Sequence, residues 1–310
     1  MPTYDAVVDE SLDDNSHAYL VRLVGPDKHV LDVGCATGYL GAALKRRGCT
    51  VVGVEFDADA AAQAADVLDD VLVADLEHID LSAAYGAATF DVVVLGDVLE
   101  HLRDPLRLLR ACVGLLRPGG SVVISVPNVT HGSVRLALLQ GRWVYRDLGL
   151  LDRTHVTFFT RSSLMRLLED AGLAVVALWP THADVLGTEV EVDPSHLPPG
   201  ALEWVREQPD ADVYQFVVRA VLDDRDGAVA QLQAGLETAQ MERDAVQAQL
   251  EVVRAELEVE RASRREADLR AERAATEVEA IHATRSMRAT RALRNVYGRV
   301  RNKQSRARGR

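Results

Sequence analysis

The chain has 310 residues, 48% of them hydrophobic, and a formal net charge of −12. That apolar content is enough to build a core, and the acidic balance argues against a catalytic face made to hold phosphate backbones. The three scattered cysteines, Cys35, Cys49 and Cys112, form no CxxC pair, which argues against a disulfide framework or a thiolate metal site and points to a reducing compartment.

In chain order, His29 to Val33 reads as a buried strand, followed by a glycine-bearing turn and a helix over Tyr39 to Arg47. Thr50 to Glu55 is a second strand and Asp57 to Val67 an alanine-rich helix. Val71 to Ala74 and Phe90 to Leu95 are the third and fourth strands. Leu106 to Leu116 is a helix ended by Arg117-Pro118-Gly119-Gly120, and Ser121 to Val126 is the fifth strand. Strands this apolar, separated by helices, predict an α/β fold: a mostly parallel sheet covered on both faces. Thr160 to Ala171 carries a Thr N-cap signal and a Gly172 stop. Leu173 to Trp179 and Tyr214 to Val221 then close the sheet, with an antiparallel last strand. The expected catalytic domain is 1–222.

Composition changes near Asp223. Val229, Leu232, Leu236, Ala239, Val246, Leu250, Val253, Leu257, Ala267, Ala271, Ala274, Val278 and Ile281 follow a seven-residue template, broken at Arg243, Glu260 and Arg264. Residues 223–284 are expected to form a coiled coil that self-associates. At ~1.5 Å per residue, Arg225 to Ile281 reaches roughly 85 Å. Residues 285–310 form a basic tail of ten Lys or Arg with no acid. Its arginines flank Met287, Leu293, Val296, Tyr297 and Val300, a pattern suited to an anionic membrane surface or a partner protein rather than to nucleic acid. The first residues lack a signal-peptide pattern and no apolar run approaches ~18 residues, so the expected location is cytoplasmic, with peripheral contact at the inner face of the membrane.

The strongest local signal is Val30-Leu31-Asp32-Val33-Gly34-Cys35-Ala36-Thr37-Gly38-Tyr39-Leu40. Glycines just past a strand let a backbone approach a ligand at a helix N-terminus. There is no GxGxxG, and Asp32 in the strand end repels a pyrophosphate but attracts an amine or sulfonium, which favours a cationic cofactor over NAD.

These residues resemble the first motif of class I S-adenosylmethionine-dependent methyltransferases, with Ala36 where many members have glycine. The resemblance covers about residues 15 to 221 and implies a Rossmann-like fold that binds S-adenosylmethionine. It implies that Asp32 and the Gly34-Cys35-Ala36-Thr37-Gly38 backbone hold the methionine part of the cofactor, Glu55 both ribose hydroxyls, and the Asp75-Leu76 segment the adenine. Asp97, in Asp97-Val98-Leu99-Glu100-His101-Leu102, lines the pocket. Asn15-Ser16-His17, residues 151–160 (LDRTHVTFFT) and 212–218 (DVYQFVV) look like bacterial polysaccharide and cell-envelope glycan methyltransferases, which implies a sugar hydroxyl as acceptor. Residues 285–294 are similar to sequences that end coiled-coil extensions in glycan-assembly proteins.

A hydroxyl acceptor must lose a proton, a task that suits a neutral histidine. His155 is the first candidate base, with Asp152 placed to orient it, followed by His131 and His101. No cluster shows metal-ligand spacing, so a metal-independent reaction is expected. The alternatives are an N- or C-methyltransferase acting on a small metabolite, or a cofactor-binding scaffold in a glycan-assembly complex.

Overall fold

The computed structural model describes residues 8–283 and 288–297. In order these are α1 (Ser16–Val24), β1 (His29–Val33), α2 (Tyr39–Arg46), β2 (Thr50–Glu55), α3 (Ala58–Ala65), β3 (Asp70–Val73), α4 (Leu81–Tyr85) and β4 (Phe90–Gly96). After a 3-10 turn, Leu99–His101, come α5 (Pro105–Gly114), β5 (Leu116–Pro127), α6 (Gly132–Leu139), α7 (Arg161–Asp170) and β6 (Leu173–His182). A second 3-10 turn, Pro194–His196, precedes α8 (Ala201–Arg206), β7 (Val213–Leu222) and α9 (Arg225–Ala283).

The seven strands form one sheet in the order β3-β2-β1-β4-β5-β7-β6. β1 to β5 pair in parallel, and β7 runs antiparallel between β5 and β6. Side-chain alternation divides the core between the two faces. Leu31, Val93, Leu95, Ile124 and Phe216 pack on one side with Leu108, Leu109 and Leu164 from α5 and α7. Val30, Val92, Val94, Val123 and Val217 pack on the other with Leu20, Val21, Leu40 and Leu44 from α1 and α2. Local chemistry sets the helix starts: Asn15, Asp57, Asp80, Asp104 and Thr160 each cap a helix with a side-chain oxygen on a free N–H.

The strand order reverses between β1 and β4, and ligands of open α/β sheets bind at such a switch point, beyond the carboxyl ends of the strands. Two differences from the sequence reading matter. The Arg117–Gly120 stretch lies within β5 rather than ending α5, because Phe90 pairs with Leu116 and a bulge resets the register at Val92. α1, α4 and α6 were absent from the pattern; each is nine residues or fewer, too short for a clear apolar period.

The chain divides into two units, 1–237 and 238–310. In the second unit α9 is a single continuous helix, exposed at every residue from 246 to 281. Residues 288–297 are helical and exposed. Part of the basic tail, including Met287, Val300 and all of 301–310, lies outside the described residues. Among the described residues no helix is long and apolar enough to cross a membrane.

Candidate active site

The β1 end builds a cradle. Gly34 and Gly38 have φ of +77° and +82°, and a Cβ on Gly34 would stand 2.7 Å from Val98, so the loops after β1 and β4 touch at the switch point. Gly38 precedes α2 without a side-chain cap. Ala36 also has positive φ, +48°, a conformation that costs an L-residue about 1–2 kcal/mol. Ala36→Gly is therefore expected to stabilise the chain by about 0.5–1 kcal/mol after glycine's entropy cost, read as a rise of about 1–3 °C in Tm. A fall in Tm would show that the Ala36 methyl contributes packing that outweighs the strain. Cys35 is buried, and its Sγ occupies the space that a Cβ on Gly53 would fill; burial pushes its thiol pKa up.

Asp32 is 2% exposed, and its Oδ2 has no hydrogen-bond partner. Burial, then repulsion from Glu55, raises its pKa from 3.8 to about 7. A buried, unpartnered carboxylate oxygen beside a glycine cradle fits a cationic ligand. Glu55 at the end of β2 is already engaged: Oε2 accepts the Ala36 N–H at 2.9 Å, and Oε1 accepts those of Phe56 and Asp57. A carboxylate has about four acceptor positions, so with three taken by N–H groups about one remains for a ribose hydroxyl rather than the two expected. Asp75 follows β3, where Ala74 donates to the Glu55 carbonyl. Its carboxylate accepts from the Glu77 N–H and contacts His78 Nδ1, and those bonds lower its pKa. Leu76 packs its side chain against the core and gives its carbonyl to Arg107, so its contribution to a ligand face is backbone at most.

Asp97 directly follows β4. In the left-handed region at φ +55°, it donates its N–H to the Ser125 Oγ and accepts from the Ser125 hydroxyl and Gln215 Nε2. Gln215 also lines an open cleft of about 360 Å³ with Asp14, Thr181, His182, Glu189 and Tyr214. The Tyr214 hydroxyl donates to Glu189, whose other oxygen accepts from the Leu150 N–H. The Asp14 carboxylate accepts from the His182 N–H.

The candidate histidines separate clearly. His131 is fully buried as the N-cap of α6; Nδ1 accepts from Ser133, and Nε2 faces the Ala183 carbonyl at 3.1 Å. Both ring nitrogens of His131 are thus hydrogen-bonded within the fold, which favours His155 over His131 as the candidate base. His155 is 9% exposed and its Nδ1 has no partner. Burial, then the nearby His101, lowers its pKa, so the ring is neutral near pH 7. Asp152 does not orient the ring as expected: its Oδ1 accepts from the N–H and hydroxyl of Thr154, shaping the turn instead.

The structure also joins segments that the sequence kept apart. The N–H groups of Val156 and Thr157 donate to the Glu100 carbonyl, which holds the 150–158 loop on the Leu99–His101 turn. The His101 and His155 rings meet edge to face at 4.9 Å. Close to both lies Glu100, 1% exposed, whose Oε2 has no partner. Glu100, His101 and His155 each offer one ligand atom, all within 4.8 Å of one another, so the spacing that the sequence did not reveal exists in space. In the sequence Glu100 stands out only as part of the Asp97–Leu102 segment, because the deep burial that marks it is not visible there.

The profile of a family described as a methyltransferase domain matches residues 7–178. A ubiquinone biosynthesis O-methyltransferase of Psychrobacter arcticus is 37% identical over 165 residues, 52% of this chain and 62% of that protein. Its namesake in Stutzerimonas stutzeri is 33% identical over 151 residues, 48% of this chain and 65% of that one. The matches thus span less than two thirds of both relatives. The crystal structure of an S-adenosylmethionine-dependent methyltransferase from Archaeoglobus fulgidus shares the fold, with TM-score 0.50 and 17% identity over 68% of this chain and 94% of that one. These relatives carry ubiquinone names rather than the glycan-pathway ones that the sequence reading expected.

Proposed function

The chain belongs to the methyltransferase-domain family, an S-adenosylmethionine-dependent fold, and from that premise we propose that it methylates a hydroxyl group with His155 as proton acceptor. The single observation that carries this reading is the buried, unpartnered Nδ1 of a neutral His155 beside the Asp97 loop. S-adenosylmethionine supplies an electrophilic methyl group on a sulfonium, so the chain's own residues must position, dehydrate and deprotonate the acceptor. Asp32, the Gly34–Gly38 loop, Glu55 and Asp75 suit the cofactor's cationic, ribosyl and adenine parts in turn. Asp97, held by Ser125 and Gln215, is linked through Gln215 to the cleft that would take the acceptor.

The cleft favours a polar acceptor. Carboxylates, a hydroxyl and an amide from Asp14, Glu189, Tyr214 and Gln215 suit several sugar hydroxyls at once, which supports a saccharide. The relatives' names support oxygen as the methylated atom and a ubiquinone precursor as the competing acceptor. The chain with S-adenosylmethionine, assayed against nucleotide sugars, catechols and amines by release of S-adenosylhomocysteine, decides between them. Turnover of sugars alone supports the saccharide reading, turnover of catechols alone replaces it, and methylation of amines alone overturns the hydroxyl assignment.

A second reading rests on the same cluster. Glu100, His101 and His155 have the donor types and spacing to hold a divalent cation, which would bind the acceptor oxygen and make a histidine base unnecessary. Titration of Mn²⁺, Mg²⁺ and Zn²⁺ into the full chain and into Glu100→Gln separates the two. Metal-independent turnover in chelator supports the histidine base; micromolar binding lost in the variant, with chelator-sensitive turnover, supports the cation.

A further inference from the structure

Arg243, Glu260 and Arg264 occupy positions in α9 where a coiled coil buries its side chains. Two of these interruptions specify how a second copy fits. We infer that residues 246–278 pair with the same segment of a second chain as an antiparallel two-stranded coiled coil centred on Ala262.

In an antiparallel pair each a position faces a d position of the other helix. Here the a positions are 250, 257, 264, 271 and 278, and the d positions 246, 253, 260, 267 and 274. Placing Glu260 opposite the second copy's Arg264 fixes every other layer. Leu257 then meets Ala267, Val253 meets Ala271, Leu250 meets Ala274, and Val246 meets Val278. Three successive layers oppose a large side chain to an alanine, so the weak alanine half of the heptad fills with the strong half of the other chain. Both core charges are paired, which a buried ion requires.

The flanking positions agree independently. In this register the g positions Glu256 and Arg270 of opposite chains face each other, as do the e positions Arg254 and Asp268, and symmetry repeats each pair. The one like-charged meeting, Arg261 with its own copy, is offset by Glu258 at 3.7 Å in the same helix. A parallel dimer instead brings Glu260 onto Glu260 and Arg264 onto Arg264 and stacks alanine on alanine at 267, 271 and 274. Sliding the antiparallel pair by one heptad sets Glu260 against Leu257 or Ala271. Val246, Leu250, Val253, Leu257 and Val278 are all exposed on α9, so the seam is open to a second chain.

The test uses the full chain carrying Val253→Cys or Ala271→Cys; the native cysteines are buried. Mild oxidation of the two variants mixed is expected to give a disulfide-linked dimer, twice the 33.8 kDa chain. Either variant alone is expected to stay unlinked, because its thiols lie about 27 Å apart along the rod. Self-linking of either variant alone would mean a parallel pair and overturn the inference, as would a monomer or a higher oligomer in sedimentation of the unaltered chain. Glu260→Arg is expected to weaken the dimer at least about tenfold, and adding Arg264→Glu to restore it to within about threefold. Failure of the double variant to recover would overturn the register.

Discussion

Asp32→Asn is expected to weaken S-adenosylmethionine binding at least about a hundredfold while making the unliganded chain more stable above pH 7. The two effects share one cause. Asp32 is buried with an unpartnered oxygen, and its pKa rises from 3.8 to about 7 through burial and Glu55. A carboxyl whose folded pKa lies above its unfolded value holds its proton more tightly in the folded chain. Between pH 3.8 and about 7 the unfolded chain therefore binds fewer protons, and the stability of the unliganded protein falls as pH rises through that window. The full effect of a rise from 3.8 to about 7 is about 4 kcal/mol, of which an amide that still needs partners recovers about 2 kcal/mol, or several degrees of Tm. A cation that pairs with the ionised carboxylate displaces the proton, so cofactor affinity should rise close to tenfold per pH unit below about 7 and level off above it. Titration calorimetry from pH 5.5 to 8.5, in buffers of different ionisation enthalpy, reads both the slope and the released proton. Flat affinity across that range, with Asp32→Asn binding normally, would remove Asp32 from the cofactor site. A folded chain that binds no cofactor at any pH would instead favour the scaffold alternative.

The second large effect concerns the proton. His155→Ala is expected to reduce turnover by about 10²–10⁴-fold while leaving S-adenosylmethionine affinity within about threefold, because the ring packs against His101 and Phe158 rather than against Asp32, Glu55 or Asp75. Cofactor affinity and circular dichroism, measured on the same sample, distinguish lost chemistry from lost fold. His131→Ala should behave differently. It removes the cap of α6 and the link to Ala183, so its main readout is a lower Tm, with turnover falling only as the fold loosens. Equal turnover in His155→Ala and the unaltered chain would exclude His155 as base; recovery of the variant by excess Mn²⁺ would point to the cation reading.

How much of this was legible in the sequence follows from which forces act locally. β1 and β2 could be read residue for residue, and the third and fourth strands to within one, because buried parallel strands show as unbroken β-branched runs. The Thr160 cap and the motif from Val30 to Leu40 were legible for the same reason: caps and tight turns need particular residues at particular positions. Those local rules alone determined an α/β sheet, a glycine cradle with an acid beside it, and a long heptad helix.

The tertiary structure alone decided which histidine is free. His131 and His155 look alike in a sequence; Ala183, 52 residues away, faces the second nitrogen of His131, whereas His155 keeps an unpartnered Nδ1 in the 150–158 loop that folds onto Glu100. Asp32 likewise became a titrating group only through burial and the approach of Glu55 from the neighbouring strand. Secondary structure is specified by neighbours along the chain. Protonation and partnership depend on desolvation and contacts between distant segments, and those exist only once the sheet has assembled.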